Sequence, residues 1–225
     1  MIDTIDNGIQ LVLTALCMVI AARRAFLTGN RAWVLLALFS GSFFLADLYW
    51  MLVLFFIKET PHYFYISDLN WYSSFLFLLL LILFINDRTT TREVFLRDAQ
   101  GNTPDKISHP GLLLAAVSAF TLGMCVFYSA MYGDYFGNAV AAVLMLGIIW
   151  HSLYGILYLG RHGEPDDGRK PVYTLTLVFC ALEYGLWTSS CFMTGVFYWV
   201  YYVFDALLSV SIFLFAVVLR KAVDR

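Results

Sequence analysis

The 225 residues are 61% hydrophobic and only 13% charged, whereas soluble domains average roughly 45–50% apolar and about 25% charged. With a mean hydropathy of +0.76, a soluble globular domain is excluded, and nothing in the formal net charge of -2 supports nucleic-acid binding. The expected fold is an all-α integral membrane protein: 225 residues as one seven-helix membrane domain.

A bilayer core needs about 20 mostly apolar residues per helix. Charges and turn residues mark seven runs, Gly8–Ala22, Ala32–Ile57, Tyr63–Ile85, Gly111–Tyr132, Asn138–Leu159, Pro171–Met193 and Val196–Leu219. The first is short before Arg23 and Arg24, and Met1–Gln10 has no basic region but carries Asp3 and Asp6. That pattern argues against a cleaved signal peptide and leaves the first helix to direct insertion.

Alternate connections divide the basic residues unevenly. One set holds Arg23, Arg24, Arg31, Arg88, Arg92, Arg97, Lys106, Arg161, Arg169, Lys170, Arg220, Lys221 and Arg225, which is all of the 14 Lys and Arg except Lys58. Positive charge accumulates on the cytoplasmic side, so the N-terminus is expected outside and the C-terminus in the cytoplasm. A miscounted helix would scramble this asymmetry. The expected location is the cell membrane, as a multi-pass protein of a bacterial cytoplasmic membrane.

A weak internal similarity appears at an offset of about 137 positions. Asp47 falls against Glu183, Asp68 against Asp205, Tyr65 against Tyr202, Ser74 against Ser211 and Arg24 against Arg161. Aromatic, apolar segments align by composition alone, but acids are rare at these depths. The pattern therefore predicts a parallel 3+1+3 repeat with halves 8–85 and 138–219 and a linking helix 111–132. In topology only, this is similar to sugar-exporting semi-transporters and to retinal proteins. The latter form a Schiff base through a lysine in their last helix, and Val196–Leu219 has none; neither retinal nor another cofactor is expected.

Four carboxylates, Asp47, Asp68, Glu183 and Asp205, fall within the runs without a lysine or arginine beside them. Each costs about 2.5–3.5 kcal/mol at a helix centre, so each needs a proton, hydrogen-bond donors or a bound cation. At about 1.5 Å of rise per residue, Asp47, Glu183 and Asp205 lie near mid-membrane, as does His151, with Asp68 closer to the outer surface. His151 is a candidate proton relay, or a neutral core histidine bonded to a hydroxyl. Asp68 either joins these acids in the cavity or has the plainer role of capping a helix at the water interface.

Aromatics form 18% of the chain. Those at Tyr63, Phe64, Tyr198 and Trp199 suit an interfacial belt. Trp50 and Trp187 follow Asp47 and Glu183 by three and four residues and so share a helix face with their acids. "ADLYW" at 46–50 and "SDLNW" at 67–71 place Trp50 and Trp71 on neighbouring helices that run in opposite directions. An indole beside a carboxylate either holds an organic cation or satisfies the acid through its N–H.

Candidate ligand-binding residues are thus Asp47, Trp50, Tyr65, Asp68, Trp71, His151, Glu183, Trp187, Tyr202 and Asp205. No metal site is expected, because only His151 is deep enough to serve, and Cys17, Cys125, Cys180 and Cys191 lack ligand spacing and read as packing residues. No nucleophile motif marks an enzyme, and of the enzyme classes only an intramembrane hydrolase with Asp47 and Asp205 as a facing pair of acids stays open. The loop Asn86–Pro110 has mixed charge and admits an amphipathic turn around Arg92–Leu96, a hairpin or a partner contact; "RHGEPDDGRK" at 161–170 reads as a solvated turn.

Two functions follow. The first is a small-solute transporter with an outward-facing acidic and aromatic cavity for a cationic or proton-linked substrate. The second is a seven-helix ligand sensor that signals through a homo-oligomer or a separate cytoplasmic partner. Both have the lipid bilayer and a small-molecule or cation ligand as partners.

Overall fold

The computed structural model describes residues 2–56, 65–98, 110–162, 168–192 and 194–223. Among these the chain forms seven helices and no strands: α1 (Ile2–Thr28), α2 (Arg31–Phe56), α3 (Tyr65–Asp98), α4 (Pro110–Tyr132), α5 (Tyr135–His162), α6 (Arg169–Ser190) and α7 (Val196–Val223). All but α6 are long and apolar enough to cross a membrane. The chain is a multi-pass membrane protein. Part of the polarity of α6 lies on its buried face, which carries Tyr173, Thr176, Glu183, Tyr184 and Ser189.

Six helices close a ring in the order α1, α2, α3, α5, α6, α7, with α7 returning to α1; α4 lies outside, against α5. The phenol of Tyr128 on α4 nevertheless reaches α6, donating to the Tyr184 carbonyl at 3.0 Å and lying 2.9 Å from the Thr188 hydroxyl. Leu112, Leu122 and Val126 on α4 are exposed, as a lipid-facing helix requires.

Local chemistry fixes the helix ends. Gly29, at φ 64, closes α1 with its N–H on the Ala25 carbonyl at 2.9 Å, and Asn30 Oδ1 then accepts from the Ala32 N–H at 3.0 Å to start α2. Asp134 does the same for α5 through the Gly137 N–H at 2.9 Å. Gly168 precedes α6 at φ 89, and a Cβ there would lie 2.5 Å from the Lys221 carbonyl oxygen, so the start of α6 meets the end of α7 through a glycine.

Each ring helix buries one stripe at helical spacing. On α1 it is Gln10, Thr14, Cys17 and Ala21; on α2, Leu36, Ser40, Phe43 and Asp47; on α3, Ser74, Phe75, Leu78 and Ile82. On α5 it is Ala141, Met145, Ile148 and Ser152; on α6, Val172, Thr176, Phe179 and Glu183; on α7, Ser211, Ile212, Phe215 and Leu219. Midway down the ring, five phenylalanines interlock edge to face. Phe179 has its centroid 5.5 Å from Phe39, 6.0 Å from Phe43, 6.3 Å from Phe75 and 6.2 Å from Phe215. Below them Leu36, Leu78, Ile82 and Leu219 complete the core.

Two sequence expectations change. Helix α1 begins at Ile2 rather than Gly8, because Asp6 and Asn7 turn toward Asp205 and the cavity and so do not interrupt the helix. Helix α3 continues past Ile85 to Asp98, so the first part of the expected loop is helix; residues 99–109 lie outside the described residues, as do 57–64 with Lys58, Tyr63 and Phe64, and 163–167 of the expected turn. The four cysteines are free thiols.

Candidate functional site

Above the phenylalanine layer, toward the N-terminal end of α1, the ring is hollow. The cavity measures about 210 Å³ and is lined by α1, α2, α3, α6 and α7. Phe43, Phe75, Glu183, Asp205 and Leu208 form its buried floor and walls, and Asn7, Trp50, Ser190 and Tyr201, all partly exposed, surround its mouth. Helix geometry explains the gathering. The C-terminal turns of α2 and α6 and the N-terminal turns of α1, α3 and α7 meet at this end, so Asp47 and Glu183, each one turn beyond its own buried phenylalanine, rise just above the packed layer.

Asp47, Glu183 and Asp205 are 3%, 2% and 3% exposed. Asp47 lies in electrostatic contact with Glu183, and Asp205 with both. No lysine, arginine or histidine lines the cavity among the described residues. The Trp71 indole N–H donates to the Asp47 carboxyl. The two "DLxW" segments are therefore joined crosswise, the acid of one to the indole of the other. The second oxygen of Asp47, Oδ2, is buried with no hydrogen-bond partner among the described residues. A buried carboxylate oxygen left bare costs free energy until a donor or cation meets it.

The cavity brings together six of the sequence-derived candidates: Asp47, Trp50, Trp71, Glu183, Trp187 and Asp205. The other four lie elsewhere or beyond description. Asp68 is half-buried at the head of α3, in electrostatic contact with Asp134 and the Tyr72 phenol. Tyr202 is buried and donates to the Tyr198 hydroxyl at 3.2 Å, while its neighbour Tyr201 faces the cavity. His151 sits toward the opposite, basic end of the ring. Its backbone carbonyl accepts from Asn86 Nδ2 at 3.1 Å, and Asn86 Oδ1 accepts from the Tyr173 hydroxyl at 2.6 Å. Tyr65 opens α3, and its side chain lies outside the described residues.

Helix α1 supplies groups that sequence reading missed. Asn7 and Gln10 line the cavity, and the Asp6 carboxyl is hydrogen-bonded to that of Asp205. The available signal was Asp6, Gln10, Thr14 and Cys17, polar or small residues at steps of four, four and three along one helix face.

Among the described residues no three His, Cys, Asp or Glu side chains converge closely enough to hold a metal ion. The acids are instead spread around a space walled by three indoles. That arrangement can surround a charged organic group, with carboxylates supplying charge and ring faces supplying cation–π contact. No protein-family model, curated protein or solved structure matches the chain.

Proposed function

We propose that the protein is a carrier for a small organic cation, which binds in the acidic, three-indole cavity. The observation that carries this reading is the buried Asp47 Oδ2, which among the described residues has no hydrogen-bond partner and shares its cavity with two further acids and no base. At about 210 Å³ the space falls below the roughly 300–1,000 Å³ of pockets for drug-sized ligands, so the substrate is a compact ammonium compound.

The carrier reading draws on the internal repeat. Leu36, Ser40, Phe43 and Asp47 stand 136 residues before Val172, Thr176, Phe179 and Glu183, and all eight are buried. Ser74, Phe75, Leu78 and Ile82 stand 137 before Ser211, Ile212, Phe215 and Leu219; Gln10, Thr14, Cys17 and Ala21 stand 131 before Ala141, Met145, Ile148 and Ser152. The hydroxyl bonds repeat too: Ser40 to the Leu36 carbonyl and Thr176 to Val172, both 2.8 Å, and Ser74 to Trp71 at 2.6 Å and Ser211 to Leu208 at 2.7 Å. The smaller first offset reflects a longer α5–α6 connection than the Gly29–Asn30 turn. The ring order matches as well, since exchanging α1, α2, α3 with α5, α6, α7 converts the α1–α7 seam into the α5–α3 seam.

Two such units about a central site can rock against each other and expose it alternately to either side. With the basic end in the cytoplasm by the charge rule, and α6 spanning with its polar face inward, the cavity opens outward and the phenylalanine layer is the closed inner gate.

The test is uptake of radiolabelled tetraethylammonium into liposomes containing the purified protein. Uptake above empty liposomes that is lost in Asp47→Asn supports the carrier. Saturable binding without uptake favours the sensor reading, which has its own support in the confinement of the acids to one end of the ring. Neither binding nor uptake rejects the cation site.

A further inference from the structure

Hydrogen bonding between two carboxyl groups has a chemical requirement. An ionised carboxylate only accepts, so a side-chain hydrogen bond from Asp6 to Asp205 requires a proton on one of the two. Among the described residues, the charged groups that act on Asp205 from neighbouring helices are acids, Asp6 on α1, Asp47 on α2 and Glu183 on α6. No basic residue lines the cavity among the described residues, so no built-in cation replaces that proton. The two acids also differ in position, since Asp205 is 3% exposed on the cavity wall, whereas Asp6 is a partly exposed residue one position before Asn7 at the mouth, although its Oδ2 is buried.

We propose that the Asp6–Asp205 pair is a proton site exchanged against the bound cation, so that an organic ammonium entering beside Asp47 and Asp205 drives one proton out through Asp6. The proposal rests on the cation reading of the cavity and adds its coupling ion. In the empty cavity the pair holds one proton and Asp47 Oδ2 awaits a partner. As the ammonium group settles between Asp47 and Asp205, Asp205 becomes its counter-ion, the bond to Asp6 opens, and the Asp6 carboxyl, turning out of the burial of its Oδ2, gives its proton to water at the mouth. Charge balances, because one positive charge enters as another leaves. In a carrier this makes transport a cation–proton exchange, with the inward proton gradient expelling the organic cation.

The experiment uses purified protein in detergent with weak buffer and tetraethylammonium chloride as the probe, whose permanent charge cannot itself carry the proton. Binding is read from the fluorescence of the cavity tryptophans, and release from a pH-indicator dye. About one proton per bound cation is expected, together with an affinity that rises about tenfold per pH unit where the pair titrates, as linkage demands. In Asp6→Asn that pH dependence flattens and whatever binding remains releases no proton, while Asp6→Glu, which keeps a carboxyl, restores release. Binding by the natural protein without release, or release that persists in Asp6→Asn, overturns the exchange but leaves the cation site standing. If the natural protein does not bind the probe, the cation site falls and the exchange with it.

Discussion

The first three helices meet the last three along two seams, α1 with α7 and α3 with α5, and each seam carries a pair of aspartates at the same end of the ring. At α1–α7 the pair is Asp6 with Asp205, in direct hydrogen-bond contact, with Asp205 on the cavity wall. At α3–α5 it is Asp68 with Asp134, in electrostatic contact beside Tyr72 and away from the cavity. Asp134 already accepts the Gly137 N–H as the α5 cap. In one pair Asp134 holds a helix end, while in the other Asp205 faces the space where a ligand would sit. Similar seams thus carry similar residues with different work, and position along the helix decides which.

The strongest test removes what both seams share. Phe179 packs against four phenylalanines from α2, α3 and α7. Phe179→Ala leaves a cavity in a layer that cannot collapse, and should destabilise the fold by about 3–5 kcal/mol, seen as a lower midpoint of thermal unfolding in detergent. If the midpoint stays within a degree or two, the layer is not the keystone of the ring and both seams must be held from elsewhere.

The next test separates the seams by function. Asp205→Asn removes a counter-ion at the cavity wall and should weaken tetraethylammonium binding by about thirtyfold, corresponding to roughly 2 kcal/mol for one partner of a buried charge pair. Asp68→Asn, the equivalent change at the other seam, should leave affinity within about twofold, since Asp68 lies outside the cavity. Equal losses in the two variants would mean that the seams share one site.

These differences also mark where sequence could and could not speak. Seven apolar runs and one-sided basic charge made the helices legible, because a bilayer punishes unpaired polar backbone and stray charge so heavily that few alternatives survive. Asp47, Glu183 and Asp205 were legible for the same reason, as costly acids with no local partner. Asp68 looked equivalent to Asp205 in spacing, but spacing does not reveal a neighbour on another helix, and its surroundings are Asp134 and Tyr72. Asp6 and Asn7 were passed over because the first apolar run starts at Gly8, and Gln10 because it stands as a single polar residue within that run, although the stripe continues into Thr14 and Cys17. Tyr201 and Tyr202 differ by a single position, about 100° around a helix, which is finer than a belt of adjacent tyrosines allows one to assign.

The smallest expected effect concerns the cap. Asp134→Ala deletes the Oδ1 acceptor for the Gly137 N–H and also removes the acid facing Asp68. Loss of an N-cap costs about 1 kcal/mol, and relief of acid–acid repulsion at a partly exposed site returns a fraction of that, so the midpoint should fall slightly. Tetraethylammonium affinity and proton release should both keep their natural values, because neither Asp134 nor Asp68 borders the cavity. Asp134→Asn distinguishes the two contributions: it keeps a capping oxygen while removing the charge, and should therefore unfold at or slightly above the natural midpoint. A fall in Asp134→Asn as large as in Asp134→Ala would mean that the charge, and not the cap, holds this seam, and the contrast with Asp6 and Asp205 would then need another basis.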